Sequence, residues 1–262
     1  HETTGVPIGL IDNSWGGSTV ETWISRDTLG SIPEAKPLLE NAAAKVEAYD
    51  YKAILKRKMD DWKKKVARAK EAGREAPSKP EVSKTYVYNQ RFPGGCFNGL
   101  IEPIKDYAIK GAIFYQGINN VVGRAGRPNL YHETFPALIP DWRKALGDDD
   151  MPFCIVQMTS FGYPTTDEDI EGAVWHNSSG IREAQSNAHF MHDNTGLVCT
   201  YDLGHIQMHS PYKRPIGERA ARWALADVYD VDGMEYNLPV LASTEKNGDE
   251  IVMEFSKNSY PS

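Results

Sequence analysis

Cysteine is scarce in this chain. Cys96, Cys154 and Cys199 are the only three among 262 residues, and they show no paired spacing. That excludes a disulfide framework and a zinc cluster; each lies among apolar neighbours, where a thiol packs as a small hydrophobe. Positive charge is in deficit as well. Twenty-nine Lys and Arg against 36 Asp and Glu leave a formal charge of −7, which argues against a nucleic-acid partner. No apolar run approaches the roughly 18 residues needed to span a bilayer, so no membrane partner is expected. No internal repeat occurs, and the glycines after the opening apolar run lack the third member of a dinucleotide fingerprint.

What is present suits a soluble globular protein with one large core: 40% hydrophobic and 25% charged residues over a length that can bury it. Four short, continuous apolar runs read as buried strands: "VPIGLID", "IKGAIFYQ", "PFCIVQMTSF" and "TGLVCTYDL". Helical patterns are read in "YHETFPALIPDWRKAL", "SSGIREAQSNAHF" and "KRPIGERAARWALADVY". The alternation predicts an α/β fold, a three-layer α/β/α sandwich with a mainly parallel sheet. From about Pro37 to Pro80 the chain turns rich in Ala, Lys and Arg and then breaks on Pro, Gly and Ser, which predicts a solvated helical-hairpin insertion. "LPVLASTEKNGDEIVMEFS" reads as two strands turning at Asn247-Gly248. A core strand opening the chain and a lone hairpin closing it are expected of an internal piece of a longer protein. The expected division is a main domain over 1–235 and the beginning of a C-terminal β-rich domain over 236–262.

Ligands of parallel sheets bind beyond the carboxyl ends of the strands, so the residues just after each run carry the search. "SWGGS" places Gly16 and Gly17 after the opening run, where backbone N–H groups can point into a site or simply form a tight turn. "FYQGINN" brings Gln116, Gly117 and Asn120 after another; an Asn amide there can donate to an oxyanion or merely shape the loop. "GHIQMHSPYK" holds His205 and His209, open to three readings: a metal pair, a capping or buried imidazole, or a general base before a helix. The metal reading is weak because no His-Glu-x-x-His pattern is present. His189 and His192 read as surface or capping residues at a helix end.

In order, these blocks resemble the sialate O-acetylesterase family of the SGNH (GDSL-like) hydrolase superfamily. The resemblance rests on "GLIDNSWGGSTVETWIS", "FNGLIEPIKDYAIKGAIFYQGINN", "IREAQ", "TGLVCTYDLG" and "HSPYKRPIGERAARWAL" and covers nearly the whole chain. It implies a serine esterase acting on acetylated sugars, sialic acids or plant polysaccharides, with no cofactor or metal. It implies His209 as general base, from a His-Pro-x-x-Lys-like spacing to Lys213. Gly16 and the Asn120 side chain would form the oxyanion hole, with Gly17, Gly117 and Gln116 as supporting loop residues. The family's Gly-(Gln/Asp)-Ser-Asn nucleophile motif is absent from this chain, and neither Ser14 nor Ser18 takes its place, so the serine is expected upstream of His1. Where the superfamily puts an acid before the histidine, this chain has Ile206 and Gln207; Gln207 could orient the ring but not stabilise its cation. Asp202 is the nearest acid upstream. Ile118 replaces a family acid and makes the pocket rim more apolar. The alternative function is a carbohydrate-binding relative that has lost its chemistry; an interaction scaffold built on the insertion is the third. The family is typically exported, so a secreted or periplasmic location is expected, and Asn177 lies in a sequon of the kind glycosylated in secretory proteins.

Overall fold

The structure of the protein, a computed structural model, describes residues 3–85, 88–121, 128–160, 173–205, 209–236 and 239–255, the side chains of 128 and 173–177 excepted. Three parallel strands form the central sheet: β1 (Ala112–Phe114), β2 (Phe153–Val156) and β3 (Thr195–Val198), in the order β1-β2-β3. Parallel neighbours need long crossovers. Here helices supply them: α5 (Pro128–Leu146) between β1 and β2, and α6 (Ala173–Met191) between β2 and β3.

Alternation along β2 divides the core. Phe153 and Ile155 join one large cluster with Trp23, Phe114, Phe135, Leu138, Trp142 and Ile181, on the side of α5 and α6. Cys154 and Val156 face the opposite way, into a smaller cluster with Val198, Ile216, Ala220 and Trp223 of α7 (Lys213–Trp223). Helices therefore cover both faces, as the α/β/α reading requires. Trp223 comes so close to β3 that a Cβ on Gly196 would lie 2.4 Å from its ring, so only glycine fits there. Burial drives the thiols of Cys96, Cys154 and Cys199 upward, Cys154 to about 12, so all three stay protonated at neutral pH.

Helix α5 carries two prolines in its interior, Pro136 and Pro140. Pro140 has no N–H to offer the carbonyl one turn back. That carbonyl, Pro136 O, is met instead by His192 Nε2 at 2.9 Å. His189 sits half-buried on the same side, its Nδ1 2.9 Å from Thr195 Oγ1. His189 thus ties α6 to β3, and His192 ties the turn after α6 to α5.

One strand expectation fails. Residues 6–12 form no strand and pair with no strand among the described residues. Val6, Ile8 and Ile11 are about half exposed and Leu10 is 91% exposed. Strand structure belongs to a pair, since the backbone groups need a neighbour's; among the described residues no strand runs beside this segment.

Before the sheet lie a short capped helix, α1 (Arg26–Ser31), then α2 (Lys36–Glu47) and α3 (Tyr51–Glu71). Asp50 caps α3 by accepting from the N–H groups of Lys52 and Ala53, and α3 buries none of its side chains. At the other end β4 (Leu241–Asn247) and β5 (Glu250–Phe255) make an antiparallel hairpin. Its two-residue turn is Gly248-Asp249, one position later than the Asn-Gly pair suggested, with the positive φ of +62 at Gly248. Glycine at the leading turn position is what a type II′ hairpin demands. No helix among the described residues is long and apolar enough to cross a membrane.

Candidate active site

The glycine turn and the Asn loop meet at the carboxyl end of β1. Gly17 takes φ +79, which lets the chain reverse after the exposed Gly16. The backbone then runs against the four-residue helix α4 (Ile118–Val121). Val20 N donates to Asn120 Oδ1 at 2.9 Å, and Gln116 Nε2 donates to Ser18 O at 3.0 Å and to Asn120 Oδ1 at 2.8 Å. Gly117 makes the approach possible: at φ +154, a Cβ there would lie 2.9 Å from Ile181 Cγ2. Gly16, Gly17, Gln116, Gly117 and Asn120 are therefore brought together.

Asn120 has no exposed surface, and Glu21 beside it is 4% exposed. Asn120 Nδ2 donates to Glu21 Oε1 and Oε2 at 3.1 and 3.3 Å. The two oxygens of one carboxylate lie side by side as seen from Nδ2, whereas the two N–H bonds of the amide diverge widely. Glu21 thus occupies one hydrogen and leaves the other uncommitted. A buried carboxylate with this geometry fixes which way the amide faces. Sequence reading missed Glu21; its one signal was an acid placed between the β-branched Val20 and Thr22.

Ser18 is 5% exposed, and its Oγ accepts from Trp23 Nε1 at 2.9 Å. Ser14 is exposed beside Asp12 Oδ1, which accepts from Ser14 N at 2.9 Å. Hydrogen bonds from Ser14 hold the Asp12 carboxyl below its ordinary value.

The ends of β1 and β2 are stitched by Gln185 of α6. Its Oε1 accepts from Met158 N at 2.8 Å, and its Nε2 donates to Gln116 O at 2.8 Å and to the Tyr131 hydroxyl at 3.3 Å. Burial of Tyr131 pushes its phenol far above the usual range, so it serves only as a neutral hydroxyl.

His209 stands on an exposed bend between β3 and α7, and no hydrogen bond joins it to another described residue. The bend itself is anchored by Ser210, 2% exposed, whose Oγ donates to Leu203 O at 2.6 Å. Four residues on, Lys213 Nζ lies 4.7 Å from the centre of the Tyr115 ring, which brings the start of α7 to the residue before Gln116. Tyr115 in turn has its hydroxyl 3.3 Å from Thr159 Oγ1. His205 is a loop residue: its N–H donates to Ser160 O, and its ring meets the Tyr212 ring edge-on. Gln207 lies outside the described residues. Asp202 is taken: Arg219 donates to both its oxygens at 2.8 and 2.5 Å and holds its carboxyl below the ordinary value. It is not bonded to His209. Among the described residues no cluster of three His, Cys, Asp or Glu could hold a metal ion.

Comparison with known proteins bears on this arrangement. Residues 93–226 match the family model described as "Carbohydrate esterase, sialic acid-specific acetylesterase". The sialate O-acetylesterases of Mus musculus and Homo sapiens are each 26% identical to the chain, over 180 and 187 residues. The alignments cover 62% and 68% of this chain but only 28% and 27% of those proteins, so the chain spans under a third of their length. The crystal structure of XAC1771, described as a novel carbohydrate acetylesterase from Xanthomonas citri, superposes with a TM-score of 0.64 at 24% identity. It covers 98% of this chain and 45% of that one, a likeness of fold.

Proposed function

Because the chain belongs to the carbohydrate esterase family of sialic acid-specific acetylesterases, we propose that the protein containing it hydrolyses O-acetyl esters on sugars by a serine mechanism. One observation carries the proposal: the Gly16–Gly17 turn and the Asn120 loop are bonded together beyond the carboxyl end of a parallel strand, the place where such sheets bind ligands.

In this reading His209 is the base. Its imidazole takes the proton of the attacking serine hydroxyl as the Oγ–carbon bond forms at the acetyl carbonyl. The negative charge moves to the carbonyl oxygen, where backbone N–H groups at Gly16 and the uncommitted N–H of Asn120 receive it. Collapse of the intermediate breaks the bond to the sugar oxygen, and His209 returns its proton there. Water, deprotonated by the same imidazole, then releases acetate from the acyl-serine. Gln116 and Gly117 hold the Asn loop. The serine is assigned to sequence preceding His1 in a Gly-x-Ser-Asn context, a reading supported by the short share of the relatives that the chain spans. No acid among the described residues is bonded to His209, so the reading does not depend on the carboxylate partner of a full triad. An exported location suits a substrate carried on glycans.

The test is acetate release from an O-acetylated sialic acid by the full-length protein. Turnover is expected, and His209→Ala should lower it by at least about 100-fold, the usual scale for an acid–base group. Binding of the sugar by calorimetry with no acetate released would instead support the carbohydrate-binding alternative.

A further inference from the structure

Glu21 is a buried acid, 4% exposed, that the proposed esterase chemistry leaves without a role. Buried acids are as a rule paired with a cation. Among the described residues no Lys, Arg or His pairs with this one. Its side chain meets an amide instead: Asn120 Nδ2, 3.1 Å from Oε1 and 3.3 Å from Oε2. The backbone that carries it is fixed. Glu21 lies in the 3-10 turn Val20–Trp23, and each residue of that turn is tied to another part of the chain. Val20 N donates to Asn120 Oδ1 at 2.9 Å, and Gly94 N donates to Glu21 O at 3.0 Å. Cys96 N donates to Thr22 Oγ1 at 3.0 Å, and Trp142 Nε1 donates to Trp23 O at 2.7 Å.

Asn120 is held on its other edge as well. Its Oδ1 accepts from Val20 N and from Gln116 Nε2 at 2.9 and 2.8 Å, so the amide cannot exchange its oxygen for its nitrogen. The freedom that remains is rotation of the amide plane, and Glu21 removes it: with one N–H on the carboxyl group, the other has a fixed direction. A negative charge beside a forming oxyanion opposes it, so electrostatics gives no reason for an acid here. Geometry does. Both carboxyl oxygens face a donor, which makes the group an acceptor at the one place where Asn120 needs an acceptor. A glutamine in its place would be turned the same way, oxygen toward Nδ2, because Asn120 itself cannot flip.

We propose that Glu21 is a positioning residue of the oxyanion site, acting through Asn120 by setting the direction of its free N–H. The proposal rests on the esterase reading. Its test is acetate release from an O-acetylated sialic acid by the full-length protein, at equal folded concentration. Glu21→Met, similar in size but without an acceptor, should lower kcat at least about tenfold and leave KM within about twofold, since the donor is misdirected and the substrate still binds. Glu21→Gln, which keeps an acceptor oxygen and drops the charge, should recover most of that loss. In an Asn120→Ala background Glu21→Met should change kcat less than about twofold, because a residue that acts through another has no effect once that other is gone. An undiminished kcat in Glu21→Met, Glu21→Gln as damaging as Glu21→Met, or the same loss with Asn120 absent would each overturn the proposal. If Glu21→Met does not fold, Glu21→Asp draws the acceptor back by one methylene, and an undiminished kcat there overturns it equally. Acetate release that Glu21→Met leaves unchanged sinks the proposal and spares the esterase reading. Absence of acetate release from the unaltered protein sinks the esterase reading, and hydrogen exchange then tests the clamp. In protein carrying isotope-labelled asparagine, the Asn120 side-chain N–H that faces Glu21 should exchange slowly and lose that protection in Glu21→Met; equal exchange in both overturns the proposal.

Discussion

The two ends of the parallel sheet treat buried polar groups in opposite ways. At the amino end, Arg143 is 7% exposed and every bond it makes goes to a backbone oxygen: Nε to Met151 O at 3.0 Å, Nη2 to Asp193 O at 2.7 Å and to Asn194 O at 3.2 Å. At the carboxyl end, Arg182 is buried almost as deeply and its Nη1 has no hydrogen-bond partner, and Gln116 and Gln157 each keep an unpartnered oxygen. Fully satisfied polar groups rigidify a fold, and buried unsatisfied ones are few in native structures. The contrast separates a structural end from a receiving end within one domain.

Breaking the contrast should therefore change different observables at each end. The largest kinetic effect in the Asn loop is expected from Asn120→Ala, a fall in kcat of about 100- to 1000-fold if its free N–H meets the oxyanion. A loss of stability with kcat intact would instead make Asn120 only the clasp between Val20 and Gln116. At the opposite end, Arg143→Met should cost roughly 1–3 kcal/mol in denaturant unfolding, because it strips donors from buried carbonyls. The rate per folded molecule should not move.

A smaller effect concerns His189, whose basicity is lowered by burial. Its folded-state value lies below the unfolded one, so the folded state binds fewer protons between them. Stability should be full above the ordinary histidine range, near about 6.5, and fall as pH drops through it toward the folded value. Unfolding curves across that range, with and without His189→Asn, should show the dependence and its loss. The smallest effect is expected for Asp202→Asn: the Arg219 pair is largely exposed, so it should cost at most about 1 kcal/mol and leave kcat unchanged. A large drop in kcat would restore Asp202 as a partner of His209.

The sheet was legible in the sequence where apolar runs were continuous. "PFCIVQ" and "TGLVC" announced strands buried on both faces, and β2 and β3 are buried at every position. "VPIGLID" has the same texture yet forms no strand, because composition reports the wish to be buried and pairing requires a neighbour. The hairpin was legible from Asn247-Gly248, although the turn sits one residue further on. The Gly-Gly turn and Asn loop could be read as motifs, but their meeting is a tertiary fact. That Glu21, Arg182 and Gln157 are buried was not legible. An acid or a cation in an amphipathic stretch looks solvated until the fold shows that it is buried.

The measurement that bears most directly on the receiving end is acetate release from an O-acetylated sialic acid at equal folded concentration, comparing full-length protein carrying His209→Ala with the Arg143→Met form. Loss of at least about 100-fold in the former and a wild-type rate in the latter is the predicted result. A wild-type rate in His209→Ala, or rates that simply follow the stability of the two variants, would contradict it.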